Sequence, residues 1–181
     1  MPKSDQGVNV RRYTVIPRTL IFVVDGERVL LLKGAPSKRL WANRYNGIGG
    51  HVERGEDLFA AARRELMEEA GLEAQNLRLC GTVMVDADDH IGVGVFIFRG
   101  EYGGGEVRPS SEGELTWVEA GRLDQYALVD DLRVLVPRVL RHKPTEPPFH
   151  ARSYYDGQDQ LVVAISEPPE ARRAKSGFGL R

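Results

Sequence analysis

The chain has 181 residues, of which 41% are hydrophobic and 28% charged, a composition typical of one globular domain. Its 25 basic and 26 acidic side chains nearly cancel, which argues against a protein that binds a long nucleic-acid backbone by bulk charge. The single cysteine, Cys80, excludes an intrachain disulfide and a multi-cysteine zinc site, so a reducing, cytoplasmic location is expected. The apolar runs are too short for a membrane span and the N-terminus is polar, so neither a membrane partner nor a secretory signal is expected.

Before the first helix, the pattern predicts a flexible lead and a β-hairpin. Residues 1–12 are polar and form the expected lead, and β-branched and aliphatic residues dominate from Tyr13 onward. Residues 18–33 carry two apolar runs separated by Asp25-Gly26, a pair typical of a tight hairpin turn. The next loop, residues 34–45, is rich in Lys, Arg and Trp and leads into three closely spaced glycines, which favour backbone conformations that other residues avoid.

The clearest helix is predicted at residues 57–70. One apolar stripe is formed by residues spaced three or four apart: Phe59, Ala62, Leu66 and Ala70. Asp57 suits the N-cap, and Gly71 suits the left-handed position that ends a helix.

The remaining chain predicts three strands, a second helix and a last hairpin. The strands are expected near residues 77–85, 91–99 and 115–119, with a glycine-rich loop before the last of them. The second helix is expected at residues 130–141, where Pro137 should kink or shorten it.

The C-terminal part predicts a hairpin followed by a tail. Residues 150–155 and 160–165 form the expected hairpin around Asp156-Gly157. Residues 167–181 hold two prolines, little apolar mass and an excess of basic side chains, so we expect a disordered basic tail.

Three carboxylates are concentrated on the first predicted helix. Glu65, Glu68 and Glu69 share an arc of about 100° beside the apolar stripe. Like charges at this spacing repel, and a hard cation such as Mg²⁺ would neutralise them with oxygen ligands. The alternative is an ordinary solvated face in which Arg64 pairs with Glu68 one turn away.

The order of residues from Gly50 to Leu72 resembles a known family signature. Gly50, five residues, Glu56, seven residues, Arg64-Glu65-Leu66, one residue, Glu68-Glu69, one residue and Gly71-Leu72 match the Nudix (MutT-type) box at every defined position. The resemblance implies an α+β fold, the Nudix α/β/α sandwich with a mixed central sheet, over residues 13–166.

The same resemblance implies roles for the residues of the box. Its catalytic group would be Glu65, Arg64 and Glu56, with Glu65 as base or metal ligand and Arg64 holding Glu56. Its ligands for Mg²⁺ or Mn²⁺ would be Gly50 through its carbonyl, Glu65, Glu68 and Glu69. Glu112, five residues before Trp117, resembles the distal metal-binding glutamate of MutT-type enzymes, although Glu114 and an ordinary loop role are alternatives.

Two further segments are similar to one group within that family, the diphosphatases of oxidised purine nucleoside triphosphates. Tyr45-Asn46-Gly47-Ile48-Gly49-Gly50 resembles the group's Trp-Asn-Gly-Phe-Gly-Gly, and Val129-Asp130-Asp131 resembles its Pro-Asp-Asp. The resemblance implies that Asn46, Asp130 and Asp131 bind the substrate base. The alternative is that Asp130 only caps the second helix. Trp41 and Trp117 are interpreted as packing residues.

The expected activity is Mg²⁺-dependent hydrolysis of a nucleoside triphosphate such as 8-oxo-dGTP to a monophosphate and pyrophosphate. One alternative is hydrolysis of ADP-ribose, a nucleotide sugar or a dinucleoside polyphosphate. Another is an isopentenyl-diphosphate isomerase, for which Cys80 is poorly placed. The expected partner is a small nucleotide, without a stable nucleic-acid complex, and the expected state is a monomer or homodimer.

Overall fold

The computed structural model describes residues 2–7, 9 and 11–166, so the predicted tail at residues 167–181 lies outside the described residues. Its eight strands are β1 (Thr14–Asp25), β2 (Arg28–Gly34), β3 (Tyr45–Asn46), β4 (Ala74–Val85), β5 (Ile91–Tyr102), β6 (Gly113–Glu119), β7 (Phe149–Tyr155) and β8 (Leu161–Ser166). Its helices are α1 (Leu58–Ala70) and α2 (Leu132–Arg141), with short 3-10 turns at Lys3–Gln6 and Ala120–Gln125.

The strands form one mixed sheet in the order β3-β2-β1-β5-β4-β7-β8, and β6, which is outside this order, pairs with β2. β1 runs parallel to β5, and β4 runs parallel to β7, whereas the other neighbours are antiparallel. The mixed sheet of the expected α+β fold is therefore confirmed.

The predicted first hairpin is correct at its turn and wrong along most of its length. β1 and β2 pair only next to the turn, through Val24 with Val29 and Asp25 with Arg28. Further from the turn, β1 bonds instead to the glycine-rich segment that follows β3. The N–H of Thr19 donates to the Gly50 carbonyl at 2.9 Å, and a bridge joins Ile21 to Ile48. The two strands separate because this segment occupies the place of β2 beside β1.

Successive side chains of the central strands point to opposite faces of the sheet, and a hydrophobic core lies on each face. Ile21 and Val23 pack in the core that contains α1, and Phe22 between them packs in the core that contains α2. All three side chains are fully buried, as expected for a strand covered on both sides. The helices therefore lie on opposite faces, which is the predicted sandwich.

Cys80 belongs to the core on the α2 face. It is fully buried, and its thiol lies 3.4 Å from the carbonyl oxygen of Ile97. Burial raises the pKa of Cys80 to about 12, so this residue supplies no reactive thiolate. Cys80 is the only cysteine in the sequence, so the chain has no residue that could act as the catalytic cysteine of the isomerase alternative.

Helix α1 begins and ends as the sequence predicts. The Asp57 carboxylate accepts hydrogen bonds from the N–H groups of Phe59 and Ala60, both at 2.8 Å. Gly71 has φ 63°, the left-handed conformation that glycine adopts without a side-chain clash. These two caps fix where the helix starts, and hence which residues face the glycine-rich segment.

Helix α2 continues through Pro137 and is not shortened by it. Its buried face packs Leu132, Leu135, Val136 and Val139 against the sheet. The Arg99 guanidinium donates to the carbonyl oxygens of Leu140 and His142, each at 3.0 Å, and so satisfies acceptors at the helix end. Tertiary packing and this cap outweigh the hydrogen bond that a proline removes.

Replacing Asp57 with alanine should lower the free energy of unfolding by about 1 kcal/mol, because two N–H groups at the start of α1 lose their acceptor. Urea denaturation of the variant and the parent protein measures this change. Asp124→Ala is a matched control, since Asp124 is exposed and lies away from α1. An equal loss in both variants would show that the cap contributes nothing specific.

Candidate active site

The Arg64 guanidinium lies at the centre of the predicted site. It donates to both carboxylate oxygens of Glu56, at 2.6 and 3.0 Å, and to the carbonyl oxygen of His51 at 3.0 Å. It also donates to Glu65 at 2.8 Å and to Glu68 at 3.0 Å. The hydrogen bond from Arg64 lowers the pKa of Glu56, and the carboxylates raise the pKa of Arg64. One side chain thus joins the loop before α1 to the acidic face of the helix.

Glu65 and Glu69 lie one turn apart and are almost completely buried, with 8% and 7% of their surface exposed. Glu69 accepts a hydrogen bond from the N–H of Gly49 at 3.1 Å. Burial raises the pKa of Glu69 to about 7, and the nearby charges of Glu65 and Glu112 act in the same direction. A carboxyl group in such a place becomes fully ionised most readily when a cation is close by.

The glycines explain how backbone comes so near these carboxylates. A Cβ atom at position 50 would lie closer than 3.0 Å to the carboxylate of Glu65. At position 49, where φ is 148°, it would lie equally close to the backbone oxygen of Thr19. The Gly50 carbonyl accepts one hydrogen bond, from Thr19, so its second lone pair remains for another partner.

These residues form part of the wall of an acidic cleft of about 400 Å³. Its titratable lining residues are Arg18, Lys38, Arg39, His51, Glu53, Glu65, Glu69 and Glu112. Glu112 reaches the cleft from the loop before β6 and pairs with Lys38 at 2.5 Å. Glu114 lines a different cavity, so of the two candidate loop glutamates it is Glu112 that the fold brings to Glu65 and Glu69.

The donor atoms of the cleft fit a hard divalent cation. They are carboxylate and carbonyl oxygens, the ligands that Mg²⁺ and Ca²⁺ prefer. Within the described part of the chain, no three acidic, histidine or cysteine side chains converge closely enough to hold a metal as they stand. Glu68 is 58% exposed and held by Arg64, and Glu112 is held by Lys38. Both would have to turn from these cations to join a metal ion at Glu65 and Glu69.

A second, smaller pocket of about 80 Å³ lies on the α2 side of β1. Asn46 and Asp131 line it together with Leu20, Val95 and Val129. Burial is the main cause that raises the pKa of Asp131, and the adjacent charge of Asp130 adds to it. The small pocket therefore combines apolar walls with an amide and a carboxyl group whose pKa is raised by burial.

The predicted aspartate pair is divided between two environments. Asp130 forms an ion pair with Arg44 and is 61% exposed, outside the set of residues that line the small pocket. Arg44 also donates to the Leu128 carbonyl, with its terminal nitrogen at 2.6 Å, and so ties the segment before α2 to β3. Asp131, not Asp130, occupies the N-cap position of α2, and its side chain forms no capping hydrogen bond. The capping alternative for Asp130 is wrong.

The acidic cleft and the small pocket share part of their walls. Arg18, Trp41 and Gly49 line both, so the two cavities adjoin. Trp41 is 41% exposed and lines both cavities, so its side chain contributes to the site as well as to packing.

Sequence reasoning also missed Arg18, Lys38 and Arg39 as lining residues. A lone arginine in the apolar run of β1 and the basic loop at residues 34–45 were the available signals.

Comparison with known proteins shows the family of the chain. The family model described as the NUDIX domain matches residues 15–144, which is most of the chain. The chain therefore belongs to the NUDIX family, hydrolases that act on phosphoanhydride bonds of nucleotide derivatives and generally use divalent cations.

The chain is similar to named hydrolases within that family. It is 34% identical over 148 residues to the oxidized purine nucleoside triphosphate hydrolases of Danio rerio and Mus musculus, covering 80% of this chain and 89% of each relative. It is 33% identical over 105 residues to the NAD-capped RNA hydrolase NudC of Pseudomonas syringae, covering 58% of this chain and 36% of that protein.

Solved structures agree on the fold. The MutT protein from Bacillus halodurans superposes with a TM-score of 0.70 at 22% identity, over 86% of this chain and all of that one. A MutT protein from Methanosarcina mazei superposes with a TM-score of 0.61 at 24% identity, over 74% of this chain and 97% of that one. Separately, none of the helices among the described residues has the length and apolarity needed to cross a membrane.

Without divalent cations, ionisation of Glu69 should destabilise the fold. Folding raises the pKa of Glu69 from 4.5 to about 7, so the folded state holds this proton more tightly than the unfolded chain. The contribution of Glu69 to the free energy of unfolding is therefore lost as the pH rises through this range, by roughly 1–3 kcal/mol. Urea denaturation in EDTA, at about pH 5 and about pH 8, measures this loss.

Glu69→Gln should remove much of that pH dependence, because glutamine does not titrate. Glu73→Gln is the matched control, since Glu73 is exposed and lies three residues after the end of α1. If the Glu69 variant loses as much stability with pH as the parent protein, the carboxyl group of Glu69 is not the group responsible.

Proposed function

We propose that this Nudix hydrolase cleaves a nucleoside triphosphate to a monophosphate and pyrophosphate, with an oxidised purine such as 8-oxo-dGTP as the preferred substrate and Mg²⁺ as the cofactor. The observation that carries the proposal is the continuity of an oxygen-lined acidic cleft with a pocket formed by Asn46 and Asp131. The similarity to two oxidized purine nucleoside triphosphate hydrolases over 80% of the chain supports the same choice.

The cation would be held by the Gly50 carbonyl together with nearby carboxylates. Glu65 and Glu69 are already adjacent in the cleft, and Glu68 and Glu112 would complete the set after leaving Arg64 and Lys38. When bound, Mg²⁺, or Mn²⁺ in its place, neutralises phosphate charge and makes a bound water more acidic.

Glu65 is the proposed general base. It is buried, and Arg64 donates to one of its oxygens at 2.8 Å, which orients the carboxylate towards the cleft that Glu65 lines. A carboxylate held in this way can take a proton from the water that attacks phosphorus. Arg64 and Glu56 act through geometry: their paired hydrogen bonds keep the loop carrying Gly50 and His51 against α1.

The small pocket would read the edge of the base. Its 80 Å³ accommodates part of a nucleotide, with the remainder in the larger acidic cleft. Asn46 offers both a donor and an acceptor, and its oxygen is partly used by the N–H of Gly47 at 2.8 Å. Asp131 can donate when it keeps its proton, as its raised pKa favours. This combination suits a purine whose oxidation has changed its donor and acceptor pattern.

A second candidate is hydrolysis of another nucleoside diphosphate derivative, such as ADP-ribose or a dinucleotide. The similarity to NAD-capped RNA hydrolases favours it, although the matched segment spans only 36% of the first of them. Such a substrate would use the same acidic cleft and carry its second nucleoside outside the small pocket.

In the presence of Mg²⁺, 8-oxo-dGTP should be hydrolysed faster than dGTP, ADP-ribose and diadenosine tetraphosphate, with release of pyrophosphate. Glu65→Gln should lower kcat by ~10²–10⁴-fold because the base is lost. Product analysis by chromatography measures both, with Glu73→Gln as control for loss of one carboxylate. Faster hydrolysis of ADP-ribose or the dinucleotide would overturn the choice of substrate but not the assignment of the acidic cleft as the active site. An unchanged kcat in Glu65→Gln would show that Glu65 is not the base.

Asp131→Ala should reduce kcat/KM for 8-oxo-dGTP by ~10–100-fold, since a hydrogen bond to the base would be lost in a partly buried place. Asp130→Ala should have the smaller effect, because Asp130 pairs with Arg44 outside the small pocket. Steady-state kinetics of both variants gives the order of the two effects, and Asp124→Ala controls for the loss of one carboxylate. The reverse order would show that Asp130 faces the base.

A further inference from the structure

We propose that Arg18 binds the phosphate group next to the nucleoside, at the junction of the small pocket and the acidic cleft. This inference rests on the proposed function for the direction in which the nucleotide lies. It adds a residue to the site that lies outside the Gly50–Leu72 signature.

The position of Arg18 follows from the pairing of β1. Its backbone bridges to His51, the residue after Gly50, and Leu20, two positions along the same face of the strand, lines the small pocket. Of the three residues that line both cavities, Gly49 has no side chain and Trp41 is uncharged, so Arg18 is the charged group among them. A nucleotide that occupied both cavities would lie next to the Arg18 side chain.

The guanidinium of Arg18 lacks an acceptor in the protein. Within the described part of the chain, no carboxylate or carbonyl oxygen accepts a hydrogen bond from it, and its close aromatic neighbour is Trp41, with the ring centre 6.0 Å away. Arg64 and Arg44, by contrast, each donate to several oxygens. The environment of Arg18 is partly buried, and this burial lowers its pKa, while the charge of Glu65 acts in the opposite direction.

These properties select an anion with several oxygens. A partly desolvated guanidinium with five unused donors is unfavourable until a ligand accepts from it. Phosphate oxygens match its planar fork, and the Trp41 ring, with its centre 6.0 Å away, accepts none of the N–H hydrogen bonds of that fork. Lys38 and Arg39 line only the acidic cleft, beside Glu112, and suit the more distant phosphates. The phosphate bonded to the nucleoside is the one that Arg18 can reach from both cavities.

The test compares ligands with and without that phosphate. Calorimetry in Mg²⁺ measures the affinities of 8-oxo-deoxyguanosine and of its 5′-monophosphate, which is the proposed product and is not consumed. In the parent protein the monophosphate should bind ~10–100-fold more tightly. Arg18→Met should bring the ratio of the monophosphate affinity to the nucleoside affinity near one, and it should leave the affinity for the nucleoside unchanged. Arg18→Lys, which keeps the charge and loses the fork, should restore part of the ratio.

Arg122→Met removes one positive charge from an exposed ion pair with Glu119 and should leave the ratio as in the parent protein. A ratio that survives Arg18→Met overturns the inference. An equal loss for both ligands also overturns it, since Arg18 would then shape the small pocket only. Thermal denaturation of the Arg18 variants verifies that they fold.

The outcome separates this inference from the proposed substrate. If the parent protein binds adenosine and AMP more tightly than 8-oxo-deoxyguanosine and its monophosphate, the proposed substrate is wrong. The affinity of AMP relative to that of adenosine, with and without Arg18, then decides the role of Arg18. If the parent protein binds the monophosphate of neither pair better than the nucleoside, the role of Arg18 falls whatever the substrate.

Discussion

The site depends on the hydrogen bonds of a single guanidinium. Arg64 lies on α1 but bonds to Glu56 and to the His51 carbonyl in the preceding loop, so it joins the helix to that loop. The same group faces Glu65 and Glu68, whose charges would otherwise repel each other. Its contribution is therefore both structural and electrostatic, and a lysine with one point charge could not replace its several directed donors.

The glycine-rich segment then brings backbone into contact with this acidic face. It lies beside β1 where β1 and β2 no longer pair, which places Gly50 beside Glu65 and the Gly49 N–H beside Glu69. A side chain at either glycine would occupy the space of a carboxylate or of the β1 backbone. The geometry of the candidate site is thus a consequence of strand pairing as much as of the helix.

Local signals predicted the parts of the molecule whose partners are near in sequence. The apolar stripe, Asp57 and Gly71 specify α1 almost to the residue, because caps and helical periodicity act over a few positions. The box residues were identified with the correct neighbours for the same reason: Glu56, Arg64 and Glu65 lie on one short segment.

Features set by distant pairing could not be predicted in this way. The hairpin pattern of residues 18–33 does not reveal that β1 takes β5 and the glycine-rich segment as its neighbours. The two adjacent aspartates look equivalent in the sequence, and only the ion pair with Arg44, far back along the chain, separates them. Arg18 and Trp41 acquire their place in the site through the same long-range contacts.

The parallel pairing of β1 with β5 also constrains how the molecule is assembled. Thr14 lies beside Ile91 and Val24 beside Glu101, so the first strand cannot be completed until the chain has been made well beyond α1. Contacts between such distant residues require closure of a long loop before they add stability, which slows folding. During synthesis, the carboxylates of α1 are therefore made before the strand beside them gains its full set of partners. The complete site therefore requires β5 to have been made, although its most recognisable residues lie on one continuous stretch of sequence.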